Sequence, residues 1–194
     1  MLEDVKRRIF QSEGESIAQR YIVLNGFDGI LTVLGITVGA FSAQVDSPIV
    51  LITSGLGAAV GLLISGISGA YITEKAQRLR KFKELQSTMI SDMDGSIQEK
   101  RVESESVIIS LMNGFSPFLF AALSVVPFFL ARAGLIDMIN TAYYFSMGTS
   151  IFLLAMLGGF LGKIAKESII WYAIKMIAVG GVTAIIMYVL GLGG

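Results

Sequence analysis

Residues 21–43 read YIVLNGFDGILTVLGITVGAFSA, an apolar stretch with one carboxylate, Asp28, inside it. A membrane-spanning helix needs about 20 apolar residues, at a rise of about 1.5 Å each, so this stretch can cross a bilayer. An Asp at that depth costs a few kcal/mol by insertion scales, and such residues usually mark an ion or proton path. Asp28 is therefore the first candidate for an ion-translocating and metal-binding residue.

Asp28 combines two properties that suit the exchange of a proton for a metal ion. A carboxylate in apolar surroundings can hold a proton, and the same group is ionised beside a bound cation. Asn25 lies one turn earlier on the same helix face, so its amide oxygen is a second candidate on the ion path. The alternative is structural, with Asp28 hydrogen-bonded and Asn25 bonded to another helix.

The composition places the whole chain in a membrane. Of its 194 residues, 54% are hydrophobic and 15% are charged, whereas soluble domains carry about a quarter charged residues. The sequence predicts an all-α integral membrane protein with five transmembrane helices, over residues 21–43, 49–73, 108–131, 139–161 and 168–191. We expect an N-terminal cytoplasmic arm or surface helix (1–20), helices one and two (21–73), a cytoplasmic helical hairpin (74–107) and helices three to five (108–194).

The hairpin is predicted from local signals. The second apolar stretch continues without a helix breaker until Asp94-Gly95, and Ser96 with Glu99 forms a capping box that starts a new helix. Carboxylate oxygens suit Mn²⁺ and Fe²⁺, so its acids are candidate metal ligands, although solvated ion pairs with the basic residues beside them explain the acids equally well. The candidate acids are Glu74, Glu84, Asp92, Glu99 and Glu103.

Lysine and arginine predict the orientation. Alternating spans place nearly all of them on one side and Arg132 on the other, and the side rich in these residues is normally cytoplasmic. We therefore expect an integral protein of a prokaryotic cell membrane, with the N-terminus in the cytoplasm and the C-terminus outside.

The chain contains no cysteine and no histidine. Disulfides, zinc–thiolate sites, iron–sulfur clusters, histidine-bound haem and His-dependent nucleophiles are thereby excluded. We expect no enzyme, no permanently bound cofactor and no nucleic-acid partner. Besides a transporter, the alternative is a membrane scaffold or sensor whose hairpin binds a partner.

A short motif occurs twice. Asn25-Gly26-Phe27 opens the first span, and Asn113-Gly114-Phe115 opens the third. The sequence therefore predicts two parallel copies, spans one and two followed by spans three and four, with span five extra. Transporter sites often lie between such repeats, which adds Asn113 and the neighbouring thioether of Met112 to the candidate ion path, although chance and core packing explain both equally well.

Small residues recur at helical spacing. Gly35 and Gly39 are four residues apart, as are Gly57 and Gly61, and this spacing allows helix backbones to approach closely. We expect spans one and two to pack through these glycines, against each other or against a second subunit of a homodimer.

The run RYIVLNGFDGILTVLGITVG, residues 20–39, resembles the first span of the vacuolar iron transporter family. The family's first-span pattern is matched in register by Arg20, Asp28, Gly29, Thr32, Gly35 and Gly39, its second-span pattern by Gly69 and Tyr71, and its third-span pattern by Val126-Pro127. Gly66 stands where the family usually has a methionine.

This resemblance implies a dimeric exporter that moves Fe²⁺ or Mn²⁺ out of the cytosol against protons. It implies that Asp28 lies on the translocation path, and that residues 74–107 correspond to a cytoplasmic metal-binding lobe.

Overall fold

The structure is a computed structural model. It describes the backbone of residues 2–89, 97–136 and 138–192, and the side chains of residues 19–80, 84, 106–136 and 138–191.

Five α-helices form the described part of the chain, which contains no strand. They are α1 (Leu2–Ser42), α2 (Pro48–Met89), α3 (Ile97–Arg132), α4 (Ile139–Ile164) and α5 (Ile169–Leu192). Each contains a segment long and apolar enough to cross a membrane, so the predicted all-α fold with five spans is confirmed. We call the end of the bundle where α1 enters its span the N-terminal face.

The helices on the N-terminal face are longer than the predicted spans. α1 begins at Leu2 without a break, α2 continues to Met89 and α3 begins at Ile97. The predicted tip of the hairpin, with Asp92, lies outside the described residues. The cytoplasmic hairpin therefore stays a prediction.

The three described turns end their helices in the same way. Gln44, Gly134 and Lys166 each adopt a left-handed backbone conformation. The residue after each one donates its N–H to the carbonyl five positions earlier, as in Val45 to Ala40 at 3.0 Å. This bond satisfies a carbonyl that the helix end would leave without a partner, which permits the short turns that the sequence predicts.

α3 lies at the centre of the bundle and packs against α1, α2 and α4. α1 also packs against α4 and α5, and α5 lies at the edge, where its main contacts are with α1 and α4. The core behind α1 is filled by large side chains, among them Ile30, Val33, Leu34, Phe128 and Leu154, each at most 3% exposed. The described part of the protomer is therefore closely packed on the inner side of α1.

Two backbone contacts bring α3 against its neighbours. A Cβ atom on Gly66 of α2 would lie 2.7 Å from Gly114 Cα of α3, and a Cβ atom on Gly29 of α1 would collide with the Pro117 carbonyl. Close approach through small residues is typical of membrane helices, because lipid provides little hydrophobic drive for their association. These contacts require glycine at both positions.

The two copies of the repeat contact each other through equivalent positions. Gly114 of α3 faces Gly66 of α2, and Gly26 of α1 faces Leu157 of α4. The paired positions are 88 residues apart in α1 and α3, and 91 residues apart in α2 and α4. Each copy's second helix thus packs against the other copy's first helix.

A second pair of contacts follows the same offsets. Thr37 of α1 bonds Ser146 of α4 through their hydroxyls, at 3.3 Å. Val125 of α3 packs on Gly55 of α2. These matched pairs support the interpretation of Asn25-Gly26-Phe27 and Asn113-Gly114-Phe115 as a true internal repeat, with α5 outside it.

Replacing Gly66 by Ala should destabilise the protein. The new methyl group would meet the Gly114 backbone at 2.7 Å, and overpacking of this kind costs about 1–3 kcal/mol. Thermal unfolding in mild detergent measures the effect. Gly148→Ala is the matched control, since nothing lies within 4 Å of its Cβ position. An equal melting temperature for Gly66→Ala and wild type would contradict the close contact.

Candidate functional site

Four polar residues line one face of α1. Tyr21, Asn25, Asp28 and Thr32 follow the spacing i, i+4, i+7 and i+11, which places them one above another on a helix. We call this row the polar stripe. It extends about 16 Å along α1 at about 1.5 Å per residue. Asn25 and Asp28 were predicted as site residues from the sequence, whereas Tyr21 and Thr32 were not, although their spacing places them on the same face.

Asp28 lies on the surface of the protomer, within the membrane span. It is exposed, and it lies about 14 Å along the helix from Gln19, where the span begins. No hydrogen bond or ion pair to its carboxylate is made by any residue whose side chain the structure describes. Thr32 Oγ1 donates instead to the Asp28 backbone carbonyl, at 2.7 Å. The Asp28 carboxylate is therefore available to a ligand from outside the protomer.

The two repeated asparagines meet directly. Asn25 Nδ2 donates to Asn113 Oδ1 at 2.5 Å and to the Tyr21 carbonyl at 3.0 Å. Asn113 Nδ2 in turn donates to the Gly66 carbonyl at 2.9 Å. One amide chain thus joins α1, α3 and α2 at the point where their backbones come closest.

This arrangement determines what each asparagine can do. Both N–H groups of Asn25 are used, while no described donor binds its Oδ1, so that oxygen remains able to bind a cation. Asn113 accepts and donates within the protein, so its amide is structural here. Met112, beside Asn113 on α3, is half-buried.

Glu74 lies at the N-terminal end of the polar stripe. The Tyr21 hydroxyl donates to Glu74 Oε1 at 2.9 Å, and Arg78 Nε lies 3.4 Å from Glu74 Oε2. We call Tyr21, Glu74 and Arg78 the Glu74 cluster. The Arg20 guanidinium lies 5.5 Å from the centre of the Tyr21 ring, so the tyrosine that holds Glu74 also contacts a cation.

The other predicted metal ligands are not brought together by the described residues. Glu84 is exposed and accepts a hydrogen bond from Arg80 Nε at 2.9 Å. Asp92 and the side chains of Glu99 and Glu103 lie outside the described part of the structure. Among the described side chains, no group of three or more acids is placed to hold a metal ion.

The predicted packing glycines divide into two sets. Gly35 and Gly39 face Met187 of α5, rather than α2. Gly57 and Gly61 on α2 have nothing within 4 Å of their Cβ positions. Their role against a second subunit stays a prediction.

A group of buried hydroxyls closes the bundle beyond Asp28. Ser146 Oγ donates to the Ser124 carbonyl at 2.7 Å, so Thr37 must be the donor in its 3.3 Å bond to Ser146. All three residues are at most 1% exposed. These bonds join α1, α3 and α4, and together with the apolar core they fill the interior that Asp28 would otherwise face.

Comparison with known proteins identifies the family. The model of the VIT family matches residues 76–192. The chain belongs to the VIT family. An uncharacterized protein of Methanocaldococcus jannaschii is 37% identical over 180 residues, which cover 91% of this chain and 90% of that protein.

Family membership gives the general activity. VIT proteins are membrane transporters of metal ions and not enzymes, so the resemblance inferred from residues 20–39 is confirmed. That first-span pattern lies outside the 76–192 match. The two observations therefore support the same family from different parts of the chain.

The bond between Asn25 and Asn113 can be measured with a double-mutant cycle. Asn25→Ala, Asn113→Ala and the double variant should give a coupling of about 0.6–1.7 kcal/mol, the range for hydrogen bonds between membrane helices. Unfolding in detergent supplies the free energies. Asn113→Ala should be the more destabilising single change, because the second bond it removes joins α3 to α2, whereas the second bond of Asn25, to Tyr21, lies within α1. Additive effects would contradict the direct bond.

Proposed function

We propose that this VIT-family protein exports Fe²⁺ or Mn²⁺ from the cytosol in exchange for protons. The observation that carries the proposal is the position of Asp28, a carboxylate exposed on the protomer surface in the middle of a membrane span. An ionisable side chain at that depth normally faces protein or water rather than lipid.

A homodimer would satisfy this requirement. The interior behind α1 is packed with side chains, so an ion that reaches Asp28 must travel along the outer surface of the helix. A second copy placed against the polar stripe would cover that surface and bring two Asp28 carboxylates to one path. In this proposal the translocation site lies between subunits.

The available ligands are all hard donors. Asp28 offers carboxylate oxygens and Asn25 offers its amide oxygen, and such ligands suit Mn²⁺ and Fe²⁺. When the divalent ion leaves, a proton can replace it on the Asp28 carboxylate. The Asp28 carboxylate then binds the metal ion and the proton in turn, which is what proton antiport requires.

The charges predict the orientation of the protein in the membrane. In the proposed orientation the N-terminal face is cytosolic, because basic residues normally mark that side. Ions would then pass Glu74, Asn25 and Asp28 in that order. The basic residues on this face whose side chains the structure describes include Arg20, Lys75, Arg78, Arg80, Lys163 and Lys166, against Arg132 at the opposite end.

Transport is tested in proteoliposomes that carry a pH gradient. Wild type should move Mn²⁺ or Fe²⁺ in the direction opposite to protons, and Asp28→Asn should lower the rate by at least about tenfold, since an amide cannot exchange a proton for a cation. Asp46→Asn is the control, because Asp46 is an exposed acid in the turn between α1 and α2. If wild type moves neither ion, the transport proposal is wrong.

The subunit arrangement is tested by cross-linking, which is simple because the chain has no cysteine. Leu24 lies one turn before Asp28 on the same face and is 56% exposed. Leu24→Cys should form a disulfide-linked dimer in oxidised membranes. Ile185→Cys on α5, 66% exposed, should remain monomeric. Equal cross-linking of both variants would argue against an interface at the polar stripe.

A further inference from the structure

The carboxylate of Glu74 is engaged at both oxygens. Oε1 accepts from the Tyr21 hydroxyl at 2.9 Å, and Oε2 faces Arg78 Nε at 3.4 Å. The side chains of Arg78 and Glu74 are only 18% and 16% exposed. An ion pair shielded to this degree is screened less by solvent than a surface pair.

α2 contains a second pair that shows the difference. Arg80 and Glu84 have the same residue types and the same i, i+4 spacing in the reverse order, and their side chains are 83% and 62% exposed. Exposed pairs of this kind contribute little energy. Shielding, rather than sequence spacing, thus distinguishes the pair at the end of the polar stripe.

We propose that Arg78 is a tethered cation that competes with the transported metal ion for Glu74. The inference rests on the proposed function, because it assumes that a divalent cation enters past Glu74. A metal ion can bind Oε2 only when the guanidinium withdraws. Tyr21 keeps its hydrogen bond to Oε1 and holds the carboxylate at the head of the row that leads to Asn25 and Asp28.

The electrostatics give this competition a consequence for export. The Arg78 guanidinium places a positive charge beside the Glu74 carboxylate, which disfavours a divalent ion at low concentration. Glu74 therefore accepts the ion only when its cytosolic concentration is high enough to displace Arg78. The pair sets a concentration threshold for export, which protects the cell from losing a required metal.

The test measures Mn²⁺ binding to the full-length protein in detergent. The electron paramagnetic resonance signal of free Mn²⁺ reports how much of the ion is bound. Arg78→Gln should lower the Kd of the Glu74 site about tenfold, a change of about 1.4 kcal/mol. Arg78→Lys, which keeps the charge, should remain within about twofold of wild type. Arg80→Gln removes the exposed charge and should leave the Kd unchanged.

Glu74→Gln completes the design. The gain in Mn²⁺ affinity that Arg78→Gln brings should disappear in the Glu74→Gln/Arg78→Gln double variant, because the competition requires the Glu74 carboxylate. Three results would overturn the proposal. The first is an unchanged Kd in Arg78→Gln, and the second is an equal gain in Mn²⁺ affinity in Arg80→Gln or Arg78→Lys. The third is a gain in affinity that persists without Glu74.

Transport of the same variants separates the two proposals. In proteoliposomes, Arg78→Gln should reach half-maximal Mn²⁺ export at a lower concentration than wild type. If wild type moves no ion but Arg78→Gln still binds Mn²⁺ more tightly through Glu74, the transport proposal fails and the competition stands. If wild type transports but binding and half-saturation are unchanged in Arg78→Gln, only the competition fails.

Discussion

The arrangement of this bundle depends on the backbone contact of α3 with α1 and α2. Gly29 lies against the Pro117 carbonyl, and Gly66 lies against Gly114. In a membrane this closeness is what makes helix association favourable, because packing and hydrogen bonds must replace the hydrophobic drive. Asn113 can then reach both neighbours with one amide, which fixes where the polar stripe of α1 lies relative to Glu74 of α2.

The internal repeat explains how the first four helices pack, and its two copies differ at one position that bears on the proposed function. Asn25 and Asn113 are equivalent positions of the two copies and bond each other. Asp28 is equivalent by the same offset to Ser116, which is 6% exposed and donates to the Ile22 carbonyl at 2.8 Å. One copy thus uses this position to join helices, while the other presents a carboxylate at the protein surface. At this position only α1 carries the carboxylate on which the proposed ion exchange depends.

The described site offers oxygen ligands, and one of its carboxylates is paired with an arginine. Hydroxyl, amide and carboxylate groups succeed one another along α1, without thiol or imidazole. The Glu74 carboxylate is held by Tyr21 and Arg78. The Asp28 carboxylate, about two helical turns beyond Tyr21 along α1, meets no partner among the described residues. On the proposed export path, an ion would leave a carboxylate that has a tethered competitor and reach one that has none, which would favour its passage.

The sequence by itself determined the class, the five spans and the candidate charge. Apolar length and composition predict membrane helices because the bilayer core excludes unpaired backbone groups, and a lone Asp in a span stands out because its burial is unfavourable. The family resemblance was likewise visible in residues 20–39. The repeat of Asn-Gly-Phe was visible too, but nothing in the sequence showed that its two asparagines touch.

Only the tertiary structure decided which groups meet. Tyr21 and Glu74 are 53 residues apart and bond across two helices. Arg78 and Arg80 each pair with a glutamate four residues away, but both side chains of the Arg78 pair are shielded and both side chains of the Arg80 pair are exposed. Gly35 and Gly39 were expected to serve the first two spans, yet they face α5. Helix periodicity places a residue on a face of its own helix, whereas the neighbour of that face depends on how the backbones pack, and here that packing follows from the glycine contacts of α3.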